Sequence, residues 1–197
     1  MKDEVLEIIF NYWAISTKKE LAITIGIPLI ISVLILLIDG STVSTGIGEF
    51  INTILTIAAL LVAFSVASIT VLFTSSSKNI EEARNYYGDT EESKRYTARK
   101  SAVSFFQTIL IKNFYAVIVQ IFLIAVGIIS KLALLACQKN QETQILDFVS
   151  YLFSFEVPNI CYNLIVSFEV FLLIHSLLVL TSAIFDIYFL MWRSFEE

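Results

Sequence analysis

The sequence predicts an all-α integral membrane protein: one four-span domain, residues 1–197, with a cytoplasmic helical hairpin and interfacial amphipathic helices. Three observations predict this class. Of the 197 residues 57% are hydrophobic and only 16% charged, with mean hydropathy +0.79, whereas soluble domains run at about 45–50% apolar and about 25% charged. Four stretches, at about 21–38, 50–74, 113–131 and 160–186, reach the length of about 18 apolar residues that a bilayer crossing needs. The polar residues that remain gather in one central segment, residues 77–100.

Taken in order, Met1 to Thr17 places Val5, Ile8, Ile9 and Tyr12 at helical spacing, opposite Asp3, Glu7 and Asn11. With Tyr12 and Trp13 suited to the headgroup level, this reads as an amphipathic helix on the membrane surface, or more plainly as a frayed terminus. Mixed charge ahead of a late apolar run argues against a cleavable signal, so the first span is expected to direct insertion. Leu21 to Ile38 is uncharged and carries Gly26 and Pro28, which predicts a kinked first span. In the second span Ala59, Ala63 and Ala67 recur every four residues. Small residues at that spacing let membrane helices approach closely, so this face is expected in a helix interface.

The central segment carries Glu81, Glu82, Arg84, Asp89, Glu91, Glu92, Lys94 and Arg95. Gly88 is placed to stop one helix and Asp89-Thr90 followed by Glu92 resembles the start of another, which predicts two helices meeting at a turn; a solvated loop is the alternative. These eight charged residues are the candidate surface for a soluble cytosolic effector protein. The third span lies between Lys112 and Lys131, with Gln120 its only strongly polar interior residue. Residues 145–155 read as a second interfacial helix that stops at Pro158, where the fourth span begins.

The fourth span carries ionisable groups inside an apolar run. His175, Ser182, Asp186 and Arg193 fall within roughly 40° of one another on a helix. Intramembrane polar residues face protein or a wet cavity and are functional candidates, so the stripe either glues helices together or lines a sensing or conducting path. Depth in the membrane pairs Lys112 with Asp186 and Lys131 with Glu169, and leaves His175 near Gln120. Lys and Arg are retained on the cytoplasmic side, and they cluster at the amino end, in the central segment and at Arg193, so both termini are expected to be cytoplasmic. Cys137 and Cys161 then lie on the opposite face, where an oxidising compartment would allow a disulfide; the alternative is two small buried hydrophobes.

Enzymatic chemistry is not expected. One histidine is present, with no motif for nucleotide, metal or covalent chemistry. His175 and Asp186 stand about 16 Å apart along one helix, too far for a triad within one chain. No catalytic residue, metal or cofactor is predicted, and no direct nucleic-acid binding.

Four spans, inward termini and a charged cytoplasmic segment resemble the membrane subunit of the Kiwa anti-phage defence system. The resemblance covers residues 1–197 at the level of architecture and transfers no site residue. It implies an oligomeric sensor or scaffold in a bacterial inner membrane, working with a cytosolic DNA-binding partner. The alternative function is a pore formed by oligomerisation, with the His175 to Arg193 stripe along its axis.

Overall fold

The computed structural model describes residues 2–38, 40–75, 77–88, 90, 94–139 and 157–192, with side chains described except at 2, 40–45, 135–139 and 157–161. Its elements are α1 (Lys2–Ile15), α2 (Lys18–Leu36), α3 (Gly40–Thr74), α4 (Lys78–Asn85), the two-residue strands β1 (Arg95–Tyr96) and β2 (Ala102–Val103), α5 (Phe105–Lys139) and α6 (Val157–Trp192). Among the described residues four helices are long and apolar enough to cross a membrane: Lys18–Leu36, Gly46–Thr74, Phe105–Leu134 and Tyr162–Trp192. Their outer faces are greasy, with Ile30, Leu34, Leu60, Ile129 and Phe189 all exposed. Apolar surface on that scale marks a face that meets a membrane or another protein.

Helix α6 is the central rod. It packs against α2, α3 and α5, while α5 packs on α3 and α2 touches chiefly α6. The main core joins Ile54, Ala58, Tyr115, Val119, Leu123, Leu172 and Val179 at the middle of these helices. A second cluster, of Leu72, Ile80, Phe106, Ile109 and Leu190, seats α4 on the ends of α3, α5 and α6. At that same end Asn79 donates to the carbonyls of Leu190 and Met191, at 3.2 and 3.1 Å, and satisfies groups that the end of α6 would leave bare.

The second long helix does not use its alanines as expected. Ala59, Ala63 and Ala67 are exposed, and the buried face of α3 runs instead through Ile47, Ile51, Ile54, Ala58, Ser65 and Leu72. That series keeps the 3.6-residue period, and the three alanines sit roughly 100–180° around the helix from Ala58. Close approach between α3 and α5 occurs at Gly127, where a Cβ would lie 2.9 Å from Leu55 Cδ2.

The central segment is not the helical hairpin that its charges suggested. Helix α4 stops at Asn85, three residues before Gly88, and the chain returns through an antiparallel ribbon pairing Arg95 with Val103 and Tyr96 with Ala102. Its turn holds Thr97 N–H to Ser101 O at 2.9 Å and Lys100 N–H to Thr97 O at 2.8 Å, with Lys100 at φ 60. Tyr, Thr and Val favour the extended pleat over the helix, which is why this stretch departs from helical reading. A left-handed lysine costs roughly 1–2 kcal/mol that glycine does not. Lys100→Gly is expected to stabilise the turn by about 1 kcal/mol, net of the looser unfolded chain, and to slow amide exchange at Thr97 about fivefold. An unchanged or faster exchange rate would show that other contacts hold the turn.

Directly after the ribbon, α5 begins with a reciprocal capping box. Ser104 Oγ accepts from Gln107 N–H at 3.3 Å, and Gln107 Oε1 accepts from Ser104 N–H at 3.0 Å. The helix therefore starts at Phe105, eight residues before the predicted span boundary. Helix α1 also differs from expectation. Its Tyr12 and Ile15 are buried and Ile8 and Ile9 pack on the main core, so much of its apolar face is covered by protein instead of lipid. Asn11 Oδ1 accepts from Ala98 N–H at 3.1 Å and Arg99 pairs with Glu7 at 3.2 Å, joining α1 to the ribbon turn. Leu6, Phe10 and Trp13 remain exposed on the other side. The predicted interfacial helix at 145–155 lies outside the described residues.

Candidate functional site

The fold builds its charged site where α2, α5 and α6 meet the layer made by α1, α4 and the ribbon. Thr17 caps α2, accepting from Glu20 N–H at 3.2 Å. Thr-x-x-Glu is the pattern of a capping box, in which the glutamate reaches back to the cap. Here the Glu20 carboxylate turns into the bundle and lies 2.6 Å from Lys112 Nζ. The same ammonium meets Asp186 Oδ2 at 2.6 Å and donates to Ser182 Oγ at 3.1 Å. All three of its protons are used, and the side chain is 2% exposed.

The Ser182 hydroxyl donates in turn to Glu20 Oε1 at 2.7 Å. Arg95, from β1, approaches Glu20 Oε2 at 3.8 Å and donates to the carbonyl of Ile15 at 2.9 Å. Two cations therefore face two carboxylates across four elements. The residues enclose one side of a cleft of about 440 Å³ between α2 and α6. Of the polar stripe read from the sequence, Ser182 and Asp186 meet here, and Lys112 joins Asp186. Glu20 was not singled out, because at a helix start it reads as an ordinary first-turn acid.

Deeper in the bundle the seam between α2 and α6 continues as a ladder of polar contacts. Pro28 has no N–H, so the Thr24 carbonyl has no helical donor. His175 Nδ1 fills that place at 2.7 Å. A carbonyl can only accept, so Nδ1 carries the proton and Nε2, at 3.0 Å, accepts from the Tyr115 hydroxyl. Gln120 is not the partner of His175 that the sequence suggested; it takes the Ser65 hydroxyl at 3.1 Å, across the α3–α5 contact. Tyr12 stacks on Tyr115 with centroids 3.8 Å apart and planes 3° from parallel, which ties α1 to the same array. Burial holds the Tyr12 phenol above its usual pKa range, so it stays neutral.

The next rungs are Ser167 donating to Ser32 O, with the two hydroxyls also 2.8 Å apart, and Asn163 donating to Ile38 O at 2.8 Å. Hydrogen bonds of this kind hold helices together where lipid removes the hydrophobic drive.

The second predicted charge pair does not form. Lys131 donates to Asn52 Oδ1 at 2.8 Å, and Glu169 is fully buried with neither oxygen in a standard hydrogen bond among the described residues. Glu169 points roughly 160° away from the ladder on α6, toward α3 and α5, with the Ser130 hydroxyl beside it. The depth argument matched the two residues but not the face. A buried carboxyl with a hydroxyl beside it and no cation paired to it costs stability, so Glu169→Leu is expected to stabilise the detergent-solubilised protein by about 1–3 kcal/mol. A lower melting temperature would show that Glu169 has a partner beyond the described residues.

The predicted partner surface is only partly free. Glu81 is exposed, Glu82 pairs with Lys78 at 3.5 Å, and Arg84 lies 5.0 Å over the Phe106 ring. Lys94 is half-buried, and Arg95 is turned into the cluster instead of outward. Asp89, Glu91, Glu92 and Arg193, and the side chains of Cys137 and Cys161, lie outside what is described. Among the described residues no group of His, Cys, Asp and Glu is arranged to hold a metal. No protein-family profile, curated protein or solved structure matches the chain.

Proposed function

We propose that the chain is a non-enzymatic membrane scaffold or sensor subunit that couples its helix bundle to a soluble partner through the layer of α1, α4 and the ribbon. One observation carries this reading: the Arg95–Glu20–Lys112–Asp186 cluster binds that layer to three of the four long helices. A displacement of α2 or α6 therefore disturbs the seat of the ribbon directly. Lys18, Lys19, Lys78, Arg84, Lys94, Arg95, Arg99 and Lys100 belong to this end, whereas Lys131 and Lys139 belong to the other. By the retention of basic residues this end is cytoplasmic, in a multi-pass topology with both termini inside.

The architectural likeness to a Kiwa membrane subunit gives the setting, a bacterial inner membrane and anti-phage defence, and gives the partner a class: a cytosolic DNA-binding effector held by a homo-oligomer. Coupling is preferred to a pore because His175, Ser182 and Asp186 each bond to α2 or α5 of the same chain. Groups so engaged are costly to expose to a water column.

The test is copurification from the native host in mild detergent, comparing the wild type with a variant carrying Glu81→Lys and Arg84→Glu. The partner is expected with the wild type and at least tenfold less of it with the variant. Equal recovery from both would remove α4 from the interface.

A further inference from the structure

The cleft between α2 and α6 has a composition that the coupling role does not explain. Lys19, Arg95 and Lys112 line it against Glu20 and Asp186, three basic groups facing two acidic ones and leaving one positive charge. Ile23 and Leu178 lie about one and two turns deeper into the bundle than Lys19 and Asp186. The cleft thus passes from a charged mouth to an apolar wall. Ile23 is 42% exposed and Phe185 58%, so this wall runs out onto the greasy outer surface. Because α2 touches chiefly α6, that side is not closed by another long helix among the described residues.

A soluble anion would match the charge but not the apolar wall, and an apolar peptide would waste the cations. A glycerophospholipid matches both in one molecule. We infer that this cleft is a binding site for an anionic glycerophospholipid, its phosphodiester at Lys19 and Arg95 and an acyl chain along Ile23 and Leu178. Basic pockets between membrane helices bind phospholipid headgroups in this way. The inference rests on the four long helices lying in a bilayer. It also deepens the coupling role, because Glu20 and Arg95 belong both to the cleft and to the joint with the ribbon. An occupied cleft holds α2 in the position in which that joint is closed, which makes headgroup chemistry the quantity sensed.

The probe is phosphatidylglycerol in phosphatidylcholine nanodiscs, with retained lipid counted by native mass spectrometry and located with a photo-crosslinking phosphatidylglycerol. Cross-links are expected on the peptides carrying Ile23 and Leu178. Lys19→Glu is expected to lower affinity about tenfold or more, since each basic group near a headgroup contributes about 1 kcal/mol and the reversal counts twice. Thr181→Trp, which fills the cleft and leaves its charges in place, is expected to do the same. Lys78→Glu, on α4 and outside the cleft, is the control and should bind like the wild type. Equal binding by Lys19→Glu and Thr181→Trp, both melting like the wild type, would overturn the site. So would cross-links spread evenly over outer faces such as Leu34 and Leu60. Alkaline carbonate extraction of native membranes separates the premise from the site: release of the chain overturns both, whereas retention with unspecific cross-links overturns the lipid site alone.

Discussion

Lys112→Met is expected to be the most damaging single substitution in the chain, lowering stability by about 3–5 kcal/mol and nearly abolishing membrane accumulation. The charge lost is the one that Glu20 and Asp186 share at 2.6 Å each. Without it two carboxylates converge on an apolar side chain, with Arg95 no closer than 3.8 Å to Glu20, and breaking a buried pair from one side leaves the survivors uncompensated. Removing all three charges is a different matter. Lys112→Met with Glu20→Gln and Asp186→Asn leaves neutral groups of similar size and is expected to recover most of the loss. Thermal melting in detergent and immunoblot abundance read both effects. Were the triple variant no better than the single one, Lys112 would be acting through packing and not through charge.

His175→Leu follows, with an expected cost of about 2–6 kcal/mol. It strips partners from two buried groups, the Thr24 carbonyl and the Tyr115 hydroxyl, each worth about 1–3 kcal/mol when left unmet. The rescue is specific to this geometry. Pro28→Ala restores an N–H one turn beyond Thr24, so it should return about 1–3 kcal/mol in the His175→Leu background and do little in the wild type. Additive losses in the double-mutant cycle would mean that the proline and the histidine do not share that carbonyl.

These two sites also show what could be read from the sequence. The long helices were legible because lipid imposes length and hydropathy together, and boundary errors come from caps such as Ser104 and Gln107 that extend α5 ahead of its apolar run. Lys112 and Asp186 were legible as a pair because they carry opposite charges at matching depth in two apolar runs. Glu20 was hidden by its position, since an acid three residues after Thr17 has a local explanation already. The bond between His175 and Thr24 was hidden for another reason: its acceptor is a backbone carbonyl that only the missing N–H of Pro28 reveals. Glu169 failed because depth constrains one coordinate of a helix and its face is a second. The ribbon failed because strands of two residues carry no periodicity to detect.

The ladder along α6 has a consequence for biosynthesis. Helix α2 leaves the ribosome first among the four long helices, and its Ser32 finds Ser167 only 135 residues later in the chain. At synthesis speeds of about 5–20 residues per second that is a wait of roughly 7–27 s. Through that interval the Ser32 hydroxyl and the Thr24 carbonyl that Pro28 leaves open have no α6 to answer them. A nascent chain therefore carries an unfinished α2 until α6 is made, and a product truncated before residue 157 never completes it. Such fragments leave the α2 side of the ladder without its partners. Completion of the first long helix thus waits on α6, although the two are made far apart in the chain.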